Sequence, residues 1–405
     1  MVELDERKIW IDGCFDFAHH GHAGAMRQAK QHGDELYVGV HNDEEILLNK
    51  GPPVMTLQER MIAVEGCRWC TEAIADAPYV TSPQVMDKYG CKYVVHGDDI
   101  STDKDGNDCY AEMKNMGRFI VVKRTPNIST TDLVGRMLLC SKDHHMSTVD
   151  GNQWIQWASK RHGQNNDDDD DDDSSLDKKF LLTHNNVGKY REYATDIDAK
   201  SAGATVSVYD GTSIHEIVSG NTALEKKNIV YVDGGWDLFH PGHITFLKAV
   251  RAKTDNDTIV VVGIHDDASV QAAKGGNYPV MSIFERSLCV LQSKYINGIV
   301  LGAPATITGK FLEELGKMND AKVIAVYHGP TETTNAPHDA EVAAIYQTLD
   351  GADVTAFKST DAASIVDRVI AHRAAFEERQ RRKGWKAKVE KDLEAKENGK
   401  YATNV

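Results

Sequence analysis

The 405-residue sequence lacks long apolar runs, an excess of basic charge and an even set of cysteines. No apolar stretch approaches the roughly 18 residues of a membrane-spanning helix, and the polar start MVELDERK has no apolar signal core. The formal net charge of -15 argues against a surface that wraps nucleic acid phosphates. Seven scattered cysteines are typical of reduced thiols. We expect a cytoplasmic protein without nucleic acid partners, at most peripherally associated with the surface of the endoplasmic reticulum.

What the sequence does contain is a long-range internal repeat. IWIDGCFDFAHHGH at 9–22 returns as VYVDGGWDLFHPGH at 230–243, and KGPPVMTLQER at 50–60 returns as KGGNYPVMSIFER at 274–286. Later, the dipeptide His96-Gly97 returns as His328-Gly329. Because the matches keep a common order over a long period, they indicate a duplicated domain rather than a short-period solenoid.

Each copy alternates strand and helix patterns. In the first copy, strands are predicted over 8–11, 35–41, 93–96 and 119–123, with helices over 23–32 and 57–67. This alternation predicts an α/β fold with a parallel sheet and helices on both faces. Ligands of such folds bind at the carboxyl ends of the strands, which is where the motifs of this sequence fall.

The composition places the domain boundaries. We predict a catalytic domain over 1–150 and a second, degenerate copy over 227–372. Between them, residues 151–226 are predicted to be a linker, because the seven consecutive aspartates at 167–173 repel one another and cannot bury apolar surface. The charge-dense segment 373–405 is predicted to be a solvated helical tail.

The H-x-G-H motif at 19–22 directly follows a predicted strand and opens a predicted helix. Two imidazoles three residues apart can face one ligand, the intervening glycine lets backbone amides approach an anion, and the helix N-terminus attracts negative charge. The alternative is that the two histidines have no ligand and are packed or exposed in a loop. This alternative is weakened because the motif recurs at 240–243, after a strand that matches the first one.

A second polar segment, RTPNISTT at 124–131, lies between the strand FIVVK and another predicted helix. Its hydroxyl groups can cap that helix and hold a phosphate, while Arg124 can supply a charge-assisted contact. Taken alone, the segment fits plain helix capping beside an exposed arginine equally well.

Together the two motifs resemble the nucleotidyltransferase family of cytidylyltransferases, whose marks are H-x-G-H and R-T-x-G-x-S-T-[ST]. The resemblance covers residues 8–140 and 228–372 and implies two tandem Rossmann-like nucleotidyltransferase domains. Tandem copies resemble the branch of the family that acts on phosphoethanolamine. This implies transfer of CMP from CTP to phosphoethanolamine, giving CDP-ethanolamine and pyrophosphate, in phosphatidylethanolamine biosynthesis. Asn127 stands where the family has glycine; asparagine tolerates left-handed backbone, so we expect the loop shape to survive.

The resemblance implies a site residue by residue. It places these residues of the first copy around CTP: Cys14, Phe15, Asp16, His19, His22, Lys50, Gly97, Asp98, Arg124, Thr125, Ile128, Ser129 and Thr130. The expected catalytic residues among them are His19, His22, Lys50 and Arg124. Tyr79 and Lys50 are expected beside the acceptor, since an aromatic face attracts an ammonium group. We expect no protein-bound metal, with Mg²⁺ arriving as its complex with CTP.

The second copy keeps part of this set. Its expected nucleotide-binding residues are Gly235, Trp236, His240, His243 and Lys274. Ala305 replaces the aromatic residue and Pro330 replaces the aspartate, so we predict a structural or CTP-binding regulatory domain, with a second active site as the lesser alternative. The pair predicts a monomer with pseudo-dimeric domains, or a homodimer.

Other functions remain open at this point. The acceptor could be phosphocholine or glycerol 3-phosphate. Adenylyltransferases also use H-x-G-H, although the segment at 124–131 favours CTP. A CTP-binding protein without turnover is the alternative outside enzymology.

Overall fold

The computed structural model describes residues 3–163, 179–221, 228–330 and 339–381. The chain divides into two compact units by its contacts. Unit 1 comprises Met1–Leu138 and Ala362–Val405, and unit 2 comprises Leu139–Asp361. The boundary near residue 138 lies 12 positions before the predicted end of the first domain.

Unit 1 is built on a five-stranded parallel sheet. Its strands are β1 (Asp5–Gly13), β2 (Glu35–His41), β3 (Glu72–Ala77), β4 (Cys91–Gly97) and β5 (Phe119–Val122). The helices of its N-terminal part are α1 (His20–Lys30), α2 (Asp43–Asn49), α3 (Leu57–Glu65), α4 (Pro83–Lys88), α5 (Ala111–Asn115) and α6 (Thr130–Leu139). The strand order is β3-β2-β1-β4-β5. Strands β2 and β3 therefore lie on one side of β1, and β4 and β5 lie on the other.

The central strand of unit 1 explains why this sheet forms. Ile9, Trp10 and Ile11 of β1 are buried because the strand is covered on both faces, and such strands are continuous apolar runs. Trp10 packs with Met86 and Val94 in an apolar cluster. The reversal of strand order beside β1 opens a crevice at the carboxyl ends of β1 and β4, the position where open α/β sheets bind ligands.

Unit 2 repeats this arrangement with an addition. Its strands are β6 (Thr205–Tyr209), β7 (Ile214–Val218), β8 (Asn228–Gly234), β9 (Thr258–Ile264), β10 (Gly298–Leu301), β11 (Lys322–His328) and β12 (Tyr346–Thr348). The helices between Leu139 and Asp361 are α7 (Gly151–Gly163), α8 (His184–Tyr193), α9 (Pro241–Ala252), α10 (Asp267–Lys274), α11 (Ile283–Leu291), α12 (Gly309–Asn319), α13 (Ala340–Ala343) and α14 (Ala352–Thr355). The sheet order is β12-β11-β8-β9-β10-β6-β7.

The topology confirms the two α/β sheets that the repeat predicts. Strands β12, β11, β8, β9 and β10 follow the same order as β5, β4, β1, β2 and β3. The two additional strands, β6 and β7, form an antiparallel hairpin at the edge beside β10. The prediction of a linker over 151–226 is therefore wrong for 179–221, where helix α8 forms and this hairpin extends the second sheet.

The C-terminal region also departs from the prediction. Helix α15 (Ala362–Ala371) and the helical residues 373–381 were assigned to the second copy and to a solvated tail, but both belong to unit 1. Phe376 is 2% exposed, which anchors this segment by apolar burial. The predicted acidic linker run at 167–173 and the tail beyond residue 381 lie outside the described residues.

The cysteines and the apolar content of the helices can be compared with the expectations from composition. The seven cysteines form no disulfide, and five of them are buried as apolar-like side chains. In the part of the chain that the structure describes, no helix has both the length and the apolar content to cross a membrane.

Candidate active site

A cavity of about 570 Å³ opens at the carboxyl ends of β1 and β4 in unit 1. The predicted site residues that line it are Cys14, Phe15, His19, His22, Lys50, Gly97, Arg124, Thr125, Ile128, Ser129 and Thr130. Residues as distant in sequence as positions 14 and 130 therefore meet in one place. Asp16, Asp98 and Tyr79 were also predicted, but they do not line it: Asp16 and Tyr79 are buried, and Asp98 is exposed.

The H-x-G-H motif forms the first turn of α1. His19 is the N-cap residue, and its Nδ1 accepts a hydrogen bond from the amide of Gly21 at 3.1 Å. The ring of His22, one turn later, stacks on that of His19 with 3.9 Å between centroids. The cap thus fixes the orientation of both rings at the positive end of the helix.

Gly21 is required between the two histidines for a steric reason. A Cβ atom added there would lie 2.9 Å from His19 Nδ1 and 2.9 Å from Ile128 Cγ2. Ile128 belongs to the 124–131 segment and is 3% exposed. The missing side chain therefore lets the two motifs close on each other.

Both histidines are held neutral. Burial, followed by the nearby cations Lys50 and Arg124, lowers the pKa of His22 to about 3. Burial and the adjacent His22 hold the pKa of His19 well below its usual value. Neutral imidazoles still donate hydrogen bonds, and an arriving polyanion would raise both pKa values by the same electrostatic logic.

We expect the variant His22→Gln to be less sensitive to acid than the parent protein. In the unfolded chain His22 takes up a proton near pH 6.5, whereas in the folded chain it does so only near pH 3, so falling pH favours unfolding. Between pH 6.5 and 5.5 this one group should remove about 1 kcal/mol of stability from the parent. Urea unfolding of both proteins across this range measures the difference. Parallel pH profiles would contradict the burial of a neutral His22.

The 124–131 segment is shaped by a left-handed residue. Asn127 has a φ of 62°, which confirms that asparagine can supply the turn in place of glycine. The amide of Arg124 donates to Asp98 Oδ1 at 3.1 Å, and its guanidinium contacts Asp99 Oδ2 at 3.1 Å. The Asp98 carboxylate holds the Arg124 backbone, and Asp99 lines the cavity. The predicted contact of Asp98 with the nucleotide stays a prediction.

Two hydroxyl groups form hydrogen bonds at the start of α6. Ser129 Oγ accepts from the amide of Asp132 at 3.1 Å and donates to its carboxylate at 2.6 Å. Thr130 Oγ1 donates to the backbone carbonyl of Asp16 at 3.4 Å. These contacts fix a second helix N-terminus against the cavity, where its amides can receive an anion.

Lys50 follows directly on α2 and lines the cavity. Its Nζ lies 5.6 Å from the ring centroid of Tyr79, within cation–π range. The neighbouring Tyr79 raises the pKa of Lys50, so this ammonium group is charged. Tyr79 itself is 4% exposed, and its face is directed to Lys50 rather than to the open cavity.

The side chain of Asp16, which was predicted to contact the nucleotide, does not line the cavity. Its side chain is fully buried, and its two oxygens accept the amides of Val54 and Met55, both at 2.9 Å. The carboxylate therefore anchors the loop that follows Lys50. In unit 2, Asp237 binds the amides of Val280 and Met281 in the same way, at 2.7 and 3.0 Å.

Asp12 and Arg379 are among the wall residues that the sequence analysis missed. Asp12, in the repeated D-G pair, lines the cavity and accepts hydrogen bonds from Trp10 Nε1 at 2.8 Å and Tyr110 at 2.6 Å. Its recurrence as Asp233 was a usable signal. Arg379 also lines the cavity, and no sequence pattern connects it to the motifs.

Unit 2 keeps the histidine geometry. The rings of His240 and His243 stack at 3.7 Å, and burial holds the pKa of His243 well below its usual value. Trp236, which follows Gly235, has a left-handed φ of 54°, and Phe15 of unit 1 is also left-handed, with a φ of 52°. The indole of Trp236 donates to the Gly263 carbonyl. Lys274 Nζ lies 6.0 Å from a tyrosine ring centroid.

The side chains of the cavity do not form a metal-binding cage. Among the described residues, no group of three or more His, Cys, Asp or Glu side chains has the geometry to hold a metal ion. The motif side chains are instead cations and hydrogen-bond donors, which suit phosphate oxygens.

Comparisons with known proteins agree with this geometry. The sequence matches the family described as cytidylyltransferase-like over residues 10–136 and 231–381. The ethanolamine-phosphate cytidylyltransferase of Dictyostelium discoideum is 37% identical over 381 residues, which cover 93% of this chain and 94% of that protein. The mouse protein of the same name is 36% identical over 93% of this chain and 89% of its own length.

A relative with a different printed name aligns over much less of the chain. Choline-phosphate cytidylyltransferase 2 of Arabidopsis thaliana is 40% identical, but over 147 residues, which are 35% of this chain and 48% of that protein. Full-length similarity, the duplicated sheet and the two histidine motifs all point the same way. The chain therefore belongs to the cytidylyltransferase-like family, in the branch whose named members are ethanolamine-phosphate cytidylyltransferases.

Proposed function

We propose that unit 1 transfers CMP from CTP to phosphoethanolamine, releasing pyrophosphate and giving CDP-ethanolamine for phosphatidylethanolamine biosynthesis. The observation that carries this proposal is the convergence of His19, His22, Lys50 and Arg124 on one cavity. The full-length similarity to ethanolamine-phosphate cytidylyltransferases supports the acceptor.

The chemistry requires positioning rather than a covalent intermediate. A phosphate oxygen of the acceptor attacks the α-phosphorus of CTP in line, and the bond to the β-phosphate oxygen breaks. The nucleophile is already an anion, so no general base is needed. The barrier comes from repulsion between two anions and from charge that develops on the leaving pyrophosphate, and fixed donors lower both.

The residues divide this work by position. His19 and His22, stacked at the start of α1, donate to phosphate oxygens without adding full charges of their own. Lys50 and Arg124 reach in from the loops after α2 and β5 and supply the positive charge. Lys50, held over Tyr79, is suited to lie between the phosphates of the two substrates.

Asp12 is the group best placed for the acceptor's ammonium head. It is the carboxylate at the carboxyl end of β1 that lines the cavity, and it is 5% exposed. Its donors Trp10, Thr81 and Tyr110 fix its orientation. A buried, oriented carboxylate favours a primary ammonium that can donate three hydrogen bonds over a quaternary one that can donate none.

Mg²⁺ fits as part of the substrate. Because the motif side chains are neutral imidazoles and the cations Lys50 and Arg124, the ion would be held mainly by the triphosphate of CTP. When bound it would neutralise charge on the leaving phosphates. The chain's own donors then orient the remaining oxygens.

Unit 2 is proposed to be a structural or CTP-binding regulatory domain. It keeps the stacked histidines and Lys274, but the surroundings of its aspartate differ. Asp233 faces His265 at 3.4 Å and His328 at 3.5 Å, whereas Asp12 is held by a tryptophan, a threonine and a tyrosine. A monomer with pseudo-dimeric domains, a homodimer and a cytoplasmic location stay predictions from the sequence.

Pyrophosphate release tests the proposed reaction directly. The purified full chain, with CTP and Mg²⁺, is supplied separately with phosphoethanolamine, phosphocholine or glycerol 3-phosphate. We expect strong turnover with phosphoethanolamine alone, because Asp12 selects an ammonium that donates hydrogen bonds. The control omits each substrate in turn.

Each other outcome has a definite meaning. Preference for phosphocholine or glycerol 3-phosphate would keep the reaction class and refute the acceptor. CTP binding without pyrophosphate release from any acceptor would refute catalysis and favour a nucleotide-sensing protein.

A further inference from the structure

The helical segment 373–381 lies against the cavity of unit 1, although more than 240 residues separate it from the last residue of the 124–131 motif. Arg368, in the preceding helix α15, makes two contacts to Glu59, at 2.7 and 2.9 Å. Glu59 is also the capping-box residue of α3. The C-terminal region is thus joined to the loop and helix that follow Lys50.

Arg379 is the residue of this segment that reaches the cavity wall. Its Nη1 donates to the carbonyl of Pro52 at 2.8 Å, and its side chain is only 16% exposed. The aliphatic part of Arg379 packs against Gly51, where an added Cβ would lie 3.3 Å from it. The glycine next to Lys50 therefore leaves room for an arginine from the far end of the chain.

The guanidinium of Arg379 retains donors for a ligand. Asp16 Oδ2 lies 3.8 Å away, too far for a hydrogen bond, and its oxygens already accept two backbone amides. Within the part of the chain that the structure describes, Pro52 and Asp16 are its only hydrogen-bond and ion-pair partners. A guanidinium carries five N–H donors in a planar fork, and phosphate oxygens match that fork.

We propose that Arg379 is a phosphate-binding residue of the active site, supplied by the C-terminal helical segment. The inference rests on the proposed function, since it adds a fifth donor to the four motif residues. The bound group is a phosphate of either CTP or phosphoethanolamine. The C-terminal segment is consequently a part of the catalytic unit.

Steady-state kinetics of Arg379→Ala in the full chain test the proposal. We expect kcat/KM to fall by about 10- to 100-fold, the effect of losing a charge-assisted contact to phosphate, with partial recovery in Arg379→Lys. A raised KM for CTP would assign the contact to the nucleotide, and a raised KM for phosphoethanolamine would assign it to the acceptor. Added guanidinium ion should partly restore turnover of Arg379→Ala, which a merely structural arginine would not permit.

Arg373→Ala is the matched control. Arg373 lies in the same helical segment, is exposed and pairs with Glu377 on the surface, so its loss should leave kcat/KM within about twofold, as is usual for exposed pairs. Two results would overturn the proposal: unchanged kcat/KM in Arg379→Ala, or a loss with lowered thermal stability and no rescue by guanidinium.

Failure of the proposed function is separable from failure of this inference. The parent protein in the same assay tests the reaction. If the parent releases no pyrophosphate, calorimetric titration of the parent and of Arg379→Ala with CTP and with phosphoethanolamine still decides. If Arg379→Ala bound CTP and phosphoethanolamine each as tightly as the parent does, the phosphate contact would be refuted.

Discussion

Replacing His22 with alanine is expected to lower kcat about a hundredfold, because one fixed donor to transition-state charge contributes on the order of 3 kcal/mol. The expectation follows from its geometry. The ring is stacked on the helix-capping His19, faces the cavity and is neutral in the folded protein. Pyrophosphate release at saturating substrates measures the effect.

The duplicated fold offers a matched control for this variant. His243 occupies the same place in unit 2 and stacks on its own capping histidine. If unit 1 carries the reaction, His243→Ala should lose far less turnover than His22→Ala. Turnover of His22→Ala within threefold of the parent would remove the motif from catalysis, and equal losses in both variants would make unit 2 a second catalytic site.

Replacing Arg60 with methionine should cost about 3 kcal/mol of stability, because buried carbonyl groups would lose their charged donor. Arg60 is 1% exposed and donates to the carbonyls of Met55, Cys14 and His41. Two of these carbonyls belong to the loops that carry the site. Activity should therefore fall together with stability.

Arg286 provides the parallel experiment in unit 2. It is fully buried and binds the carbonyls of Met281, Gly235 and His265. Its partner Asp267 is only 1% exposed, so Arg286→Met leaves a buried charge and should cost more, about 3 to 5 kcal/mol. Denaturant unfolding followed by two probes, one in each unit, separates the effects.

The turnover of the two variants shows which unit carries catalysis. Arg286→Met should destabilise the chain more than Arg60→Met and yet retain more turnover at temperatures where both are folded. The reverse order of turnover would contradict the assignment of catalysis to unit 1.

The repeated elements were predictable because their signals are local. The apolar strands at 8–11 and 35–41 and the histidine motif that follows the first of them are found where the sequence indicates. Strand β3 (EAIADA) was missed because it lacks apolar continuity, being short and partly exposed at the sheet edge. The hairpin of β6 and β7 was missed because the neighbouring acidic run dominated the composition of that region.

The site was predictable only in part, for a related reason. Motif residues at 14–22 and 124–130 come together because strands β1, β4 and β5 are neighbours in a parallel sheet. Asp16 stands within a motif, yet its carboxylate is buried and accepts two backbone amides. A sequence motif predicts where a residue lies in the fold, but it does not predict the direction of its side chain.

The sequence by itself determined the α/β class, the duplication, the two helix N-termini that can receive phosphate and the left-handed turn at Asn127. These depend on periodicity, caps and backbone preference, which act over a few residues. Only the tertiary structure decided that Asp12 lines the cavity, that Tyr79 faces Lys50, and that Arg379 joins the site across more than 300 residues. Such contacts form because distant segments bury surface together, and burial between distant segments leaves no periodic trace in the sequence.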